Sequence, residues 1–210
     1  MYLPKPFAET DQSALLAIVR AHPFATLVTM DGGLPQVGHL PLIAVEQADA
    51  TLVLRGHLAS QNPQVGHSGP ALAVFHGPHA YISAAWYEAD DAVPTWNYQV
   101  VHARGELRAD RDPAALDALL DHLTAAVEGP AAVRWQARLG KDVRSRLLGQ
   151  IVAIELRVDQ LIGKSKLGQN QTPERRSRAA TGLRRLGGDD HLAVAAAMER
   201  TLGGGGGIQT

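Results

Sequence analysis

Three groups of side chains in this sequence have types and spacings that could do chemistry. Arg55, Gly56 and His57 close the apolar run TLVLRGH. An arginine presents a donor fork that matches two oxygens of a phosphate, and a glycine beside it leaves room for a ligand near the backbone. Lys164 and Lys166 alternate in GKSKLGQNQ, with Gln169 and Asn170 close behind. In an extended segment, alternate residues project to one side, so the two ammonium groups could reach a phosphate or another subunit, or stay solvated. The third group is aromatic: six of the ten Phe, Trp and Tyr residues lie between Phe75 and Tyr98. Trp86, Tyr87, Trp96 and Tyr98 flank the loop EADDAVP, and Ser83, Thr95 and Asn97 are interleaved as neutral donors and acceptors. Apolar walls carrying a few directed polar groups describe a small-molecule pocket, and the same rings could fill a core.

Other chemistries are poorly served. The chain has no cysteine, which removes disulfides, thiolate catalysis and cysteine zinc sites. His76 and His79 are separated by Gly77 and Pro78, so they cannot share a helix face. His39, His57 and His102 fall on different strands and could converge, but no histidine–glutamate pair at helical spacing accompanies them, so no metal site is expected. The glycine run near residue 205 follows a helix and precedes nothing, whereas a phosphate-cradling loop needs a strand before it and a helix after it. Arg175, Arg176, Arg178, Arg184 and Arg185 form a basic run before Gly187 and Gly188, but the segment that follows opens DDHLAVAAAMER. A helix with acids at its start repels phosphates where base contact would occur, so a solvated face is favoured over a DNA-reading helix.

The elements that must position these groups read mainly as strands. Thr10 or Asp11 caps a first helix with Leu15, Leu16, Ile18 and Val19 on its apolar face. FATLVT, a glycine turn, LPQVGHLPLIAV and TLVLRG form a β-meander. HLASQNPQ is expected to be a short helical turn opening directly from the third of these strands, and ALAVFHG and HAYISAAWY to be two strands parted at Gly77 and Pro78. TWNYQVVHARGELRA is the longest strand candidate. Asp112 followed by Pro113 then starts a helix with Leu116, Leu119, Leu120 and Leu123 inward. AAVRWQARLG and KDVRSRLLG read as short helices, QIVAIELRVDQL as a strand, and two helices precede a glycine-rich end read as disordered. The result is an α+β fold, mainly antiparallel β and barrel-like, with peripheral helices and a helical C-terminal tail. A formal charge of −1 gives no general pull toward nucleic acid or acidic membranes. No apolar run approaches the roughly 20 residues of a membrane span, and a cytoplasmic location is expected.

Rings, Arg55 and the lysines together suit a ligand with a flat ring at one end and a phosphate at the other. Flavin mononucleotide (FMN) is such a molecule. The stretches MYLPKPF, LRGHLASQNPQ, LAVFHGPHAYIS, VPTWNYQVVHARGEL and IELRVDQLIGKSKLGQNQ, in that order, resemble the PaiB-type family of FMN-binding negative transcriptional regulators. The resemblance implies a split β-barrel of the FMN-binding type, a homodimer and a role in repression. It implies a flavin ring along Gly38, His39 and Leu40 and along Arg55, Gly56 and His57. The phosphate would meet Arg55 and the helix start near His57, and the WNY strand, with Trp96 and Asn97, and the KSKLGQN segment, with Lys164, Lys166, Gln169 and Asn170, would supply the remaining walls from this chain or its partner; Ser83 and Trp86 join them as pocket candidates from the aromatic cluster. On this reading residues 1–165 are the flavin domain, 166–202 a helical extension packed on the barrel or the dimer partner, and 203–210 a disordered tail. The rival expectations are an FMN-dependent oxidoreductase, in which the cofactor carries the redox chemistry, and a haem-binding split barrel using His39, His57 or His102.

Overall fold

The computed structural model describes residues 1–129 and 140–203. The expected helix AAVRWQARLG and the glycine-rich end lie largely or wholly outside them. Eight strands and five α-helices are formed within these bounds. The strands are β1 (Ala8–Glu9), β2 (Phe24–Asp31), β3 (Leu34–Pro41), β4 (Ile43–Glu46), β5 (Leu52–Ala59), β6 (Gly69–Ile82), β7 (Thr95–Asp110) and β8 (Ile151–Lys166). The helices are α1 (Gln12–Ala21), α2 (Pro113–Glu128), α3 (Lys141–Leu148), α4 (Pro173–Leu186) and α5 (Asp189–Gly203). Neighbouring strands follow the order β3-β2-β6-β7-β8-β5-β4, with β1 on β8, and every pairing whose register is defined is antiparallel. The path ends at β3 and β4, so the sheet is not closed. This is the expected α+β class.

Local chemistry accounts for most boundaries. Gly32 and Gly33 turn β2 into β3 with φ of +54° and +84°, a conformation that costs glycine little. Asp11 Oδ1 accepts the Ser13 amide at 2.9 Å and opens α1. Asp112 Oδ1 accepts the Ala114 amide at 3.0 Å and opens α2 ahead of Pro113, as N-cap and first-turn proline should.

Several boundaries differ from expectation; HAYISAAWY, expected as a strand throughout, leaves the strand after Ile82 and turns into a 3-10 segment, Ala84–Tyr87. The apolar run after the first glycine turn is two strands, because Leu42 leaves the ladder: its side chain is buried and its amide bonds the Pro23 carbonyl at 2.8 Å. Gly77 and Pro78 are not a turn but lie inside the continuous strand β6. A Cβ at Gly77 would sit 3.1 Å from Gln99 of β7, so this glycine serves close strand approach, and the fixed φ of Pro78 is tolerated in extended chain. Finally, His57 is not at a helix start. Strand β5 runs on to Ala59, and the helical turn is a four-residue 3-10 segment, Pro63–Gly66. Asn62 provides the turn by accepting the Gln64 amide at 2.9 Å.

Contacts divide the chain into two compact units. One gathers Met1–Ile18, His76–Val101 and the described residues from Ile162 onward; the other holds the described part of Val19–Phe75 and His102–Leu161. In the first, α4 and α5 bury Ala179, Leu183, Val194 and Met198 against Ile82, Tyr87 and Leu167. In the second, α2 places Leu116, Leu119 and Leu123 on Ala153 of β8, with Ile43, Leu120 and Leu148 packed around them. Among the described residues no helix is long and apolar enough to cross a membrane.

Candidate functional site

The candidate residues divide between the two units. Six of them, Gly38, His39, Leu40, Arg55, Gly56 and His57, lie on β3 and β5 of the second unit. Strand alternation points Leu40 into the core and leaves His39 exposed, its ring stacked on Phe24 with centroids 6.4 Å apart. Neither glycine is an open approach to backbone. A Cβ at Gly56 would come within 2.6 Å of the Pro41 carbonyl oxygen and 2.8 Å of the Leu42 side chain. A Cβ at Gly38 would overlap Gln64 Oε1. That glutamine is buried, and its Nε2 reaches Thr29 Oγ1 and the Gln36 carbonyl at 3.2 Å each, with Leu27 O at 3.4 Å. Three acceptors around one NH2 fix which way the amide points, so its oxygen faces Gly38.

Arg55 is half-buried and directly opposite Glu155 across the β5–β8 ladder. Its Nε donates to Glu155 Oε2 at 3.0 Å, and Nη2 lies 3.0 Å from the same oxygen. Arg108 Nη2 donates to the other oxygen, Oε1, at 3.2 Å. His57 carries the clearest open valence of the set. Its Nδ1 is buried with no hydrogen-bond partner, and burial pushes its pKa below the usual 6.5, so the ring is neutral at pH 7.

The other eight candidates lie in the first unit, and most already have work. Ser83 Oγ accepts the Ala85 amide at 3.3 Å and caps the 3-10 turn Ala84–Tyr87. Trp86 packs on α4 at Gly182, where a Cβ would meet the indole at 2.5 Å. Trp96, by contrast, is 54% exposed and stands edge-on to Tyr81 and tilted to His79 at 6.1 Å each. The aromatic cluster therefore splits into a packed half and a presented half. Asn97 is fully buried, its Nδ2 against Met198 Sδ at 3.4 Å and its Oδ1 without a partner.

Lys164 and Lys166 lie within β8 rather than beyond the last strand. Lys164 is buried, donates to the Tyr2 carbonyl at 3.2 Å, and sits over the Tyr2 and Tyr98 rings at 5.7 and 5.5 Å, close enough for cation–π attraction. Lys166 donates to Thr95 Oγ1 and, at 2.7 Å, to the Trp96 carbonyl. Burial, and then the charge of Lys164, hold its pKa below the usual lysine value. Gln169 folds back on its own strand end, accepting from Leu167 N at 2.8 Å and donating to Ser165 O at 2.6 Å, whereas Asn170 is exposed.

The arginine run of α4 is mostly committed. Arg175 pairs with Asp91 at 2.6 Å, Arg178 donates to the Tyr87 carbonyl at 2.9 Å, and Arg184 chelates Glu199 at 2.5 and 2.8 Å. Arg176 is buried beside Thr201. Sequence reasoning missed Glu155, Arg108 and Gln64. Glu155 is drawn to Arg55 by strand register over 100 residues of chain, and Arg108 reaches Glu155 over 47, and no local spacing signals either.

With this geometry in hand, comparison with known proteins is specific. The sequence profile of a family described as "Putative FMN-binding domain" matches residues 1–160. The chain is 36% identical over 177 residues to "Protease synthase and sporulation protein PAI 2" of Bacillus subtilis, covering 81% of this chain and 83% of that one. It is 29% identical to an uncharacterized protein of Emericella nidulans, covering 93% and 95%. Among solved structures, an FAD and haem binding protein from Mycobacterium smegmatis superposes with a TM-score of 0.60 at 18% identity, over 80% of this chain and 78% of that one. The flavocytochrome Anf3 from Azotobacter vinelandii gives 0.57 at 15%, over 76% and 69%. At such identities these two likenesses speak to fold, and the fold is the split β-barrel.

Proposed function

We propose a function on the premise that this chain belongs to the FMN-binding domain family: it is a homodimeric flavoprotein that acts as a negative regulator of transcription. The observation that carries the flavin part is the family match over residues 1–160, which spans the β3 and β5 candidates together with Arg108 and Glu155. The donor chemistry fits the group. Arg55 keeps Nη1 without a partner among the described residues, and a half-exposed guanidinium suits a phosphate. His57 Nδ1 is an unmet polar atom on the same strand, able to donate to or accept from a ring edge according to its tautomer. Bound flavin would supply reversible redox chemistry, and the chain's residues would orient it and neutralise its phosphate. Gly38, His39, Leu40, Arg55, Gly56 and His57 are the candidates for one wall, where the exposed His39 and the half-buried Arg55 and His57 would act by side chain; the further walls would come from the partner chain of the dimer. Ser83, Trp86, Trp96, Asn97, Lys164, Lys166, Gln169 and Asn170 are the candidates for the others.

Support for the dimer comes from an apolar stripe on the outer face of the β2–β3 hairpin. Phe24 is 65%, Val37 56% and Met30 52% exposed, with Val28 directly across from Val37. A run of large side chains left to water on a regular sheet face suits a second protein surface. Support for regulation comes from the likeness to the Bacillus subtilis sporulation protein; the paired arginines of α4 argue against that helix as the DNA contact.

Titration of the purified chain with FMN, read by quenching of flavin fluorescence, tests the cofactor. Saturation at one flavin per chain is expected, and no quenching at micromolar protein would end the proposal. An electrophoretic mobility shift on upstream DNA at two salt concentrations tests regulation, because phosphate contacts impose a steep salt dependence.

A further inference from the structure

We infer that Arg55 and Arg108 together form a two-armed phosphate seat, and that the Glu155 carboxylate holds this seat as an internal stand-in for the phosphate. The inference rests on the reading above that Arg55 meets the phosphate of FMN, and it adds Arg108 and Glu155 to that site.

A cross-strand ion pair needs one cation, and Arg55 opposite Glu155 would satisfy that by register alone. Here the carboxylate receives two. Oε2 takes Nε and Nη2 of Arg55, each at 3.0 Å, while Oε1 takes Nη2 of Arg108 at 3.2 Å. Two guanidinium groups are thus spaced to hold two oxygens on one central atom, the arrangement a phosphate presents. One negative charge between two positive ones leaves a surplus, and a phosphomonoester near its second ionisation would offset it more completely. Exposure fits exchange from solvent: the Arg108 side chain is 68% and that of Arg55 38% accessible, against 12% for Glu155. A cleft of about 430 Å³, lined by Arg108, Ala109, Asp110, Arg111 and Glu155, opens beside the carboxylate. Among the cleft's lining charges Arg108 and Arg111 offset Asp110 and Glu155, so Arg55, on the other oxygen of Glu155, tips the balance toward an anion.

Glu155 then sets selectivity as well as affinity. An incoming phosphate must displace it or share its donors, so a weakly charged anion gains little and a doubly charged phosphate gains most. A flavin without phosphate should be indifferent to the residue.

The test compares FMN with riboflavin on the full chain, as wild type and as Glu155→Gln, Arg55→Gln and Arg108→Gln, with thermal melting to confirm folding. Glu155→Gln keeps the shape and removes the charge. It should tighten FMN about three- to tenfold, in the range of a single charge-assisted contact, and leave riboflavin unchanged. Arg108→Gln should weaken FMN by about tenfold and spare riboflavin. A folded Glu155→Gln chain with the wild-type FMN-to-riboflavin ratio would overturn the inference. If that variant does not fold, Arg108→Gln decides alone, because a strongly exposed arginine can be replaced without disturbing the core, and an unchanged ratio rejects the seat. Failure of the underlying reading looks different: Arg55→Gln would then leave the ratio untouched. A ratio lowered by Arg55→Gln but indifferent to Glu155→Gln retains the phosphate contact and rejects only the stand-in.

Discussion

At the scale of single residues, this chain joins polar groups that are satisfied to a few that are not. His57 is the clearest of the latter, with its neutral, half-buried ring and unmet Nδ1. Its lowered pKa has a consequence for stability. Below pH 6.5 the unfolded chain takes up a proton at this position while the folded chain resists, so stability is full above that pH and falls as the pH drops through and below it. Urea unfolding at pH 7.5 and 5.0 should show a smaller acid loss for His57→Gln than for wild type, and equal losses would refute the assignment. At Arg55, replacement by alanine should weaken FMN by about ten- to a hundredfold, the range of a lost charge-assisted hydrogen bond, in a direct flavin titration. Arg55 could be singled out from TLVLRGH because an arginine that closes an apolar run is visible locally, even though the strand itself runs on to Ala59. Its partner Glu155 could not, nor could Arg108 on the same carboxylate, because they are brought together through the sheet.

At the scale of elements, the sequence is most informative where signals are local. Asp112–Pro113, Gly32–Gly33 and the leucine spacing of α2 each specify a piece of backbone within a few residues, and each is found where expected. Two of the misread glycines share one cause. Gly77–Pro78 and Gly56 carry turn-like or ligand-like residues, yet what they meet is chain from elsewhere in the sheet: Gln99 of β7 in one case, Pro41 of β3 and the neighbouring Leu42 in the other. Steric demands from distant chain are invisible in a window of ten residues. Two measurements follow. Leu119→Ala, under α2, should cost about 2–5 kcal/mol in chemical unfolding, as buried leucine truncations do. Gly182→Leu should force the Trp86 indole away from α4 and destabilise by about 1–3 kcal/mol, with a change in near-ultraviolet circular dichroism that reports the displaced tryptophan. Retention of the native spectrum and melting temperature would contradict that packing.

At the scale of the whole molecule, the exposed stripe of Phe24, Met30 and Val37 supports the proposed dimer. Light scattering on the eluting protein should give twice the chain mass, and Val37→Lys, opposite Val28 in the hairpin, should shift it toward the monomer. A monomeric wild type would remove the dimer from the proposal. Flavin should also raise the melting temperature, since a ligand at 100 times its Kd adds about 2.7 kcal/mol to a folded state that alone binds it. The sequence by itself determined the α+β class, most of the elements and their caps, and a set of residues rich enough to suggest a phosphorylated flavin, because turn chemistry, helix caps and hydrophobic period are written in neighbouring residues. Only the tertiary structure decided which of those residues remain available. Register across β5 and β8 gives Arg55 a carboxylate partner, and burial leaves His57 unmet. Helix packing holds Trp86 half-buried against the core while Trp96 stays at the surface. Availability depends on what arrives from far along the chain, and no local pattern encodes that.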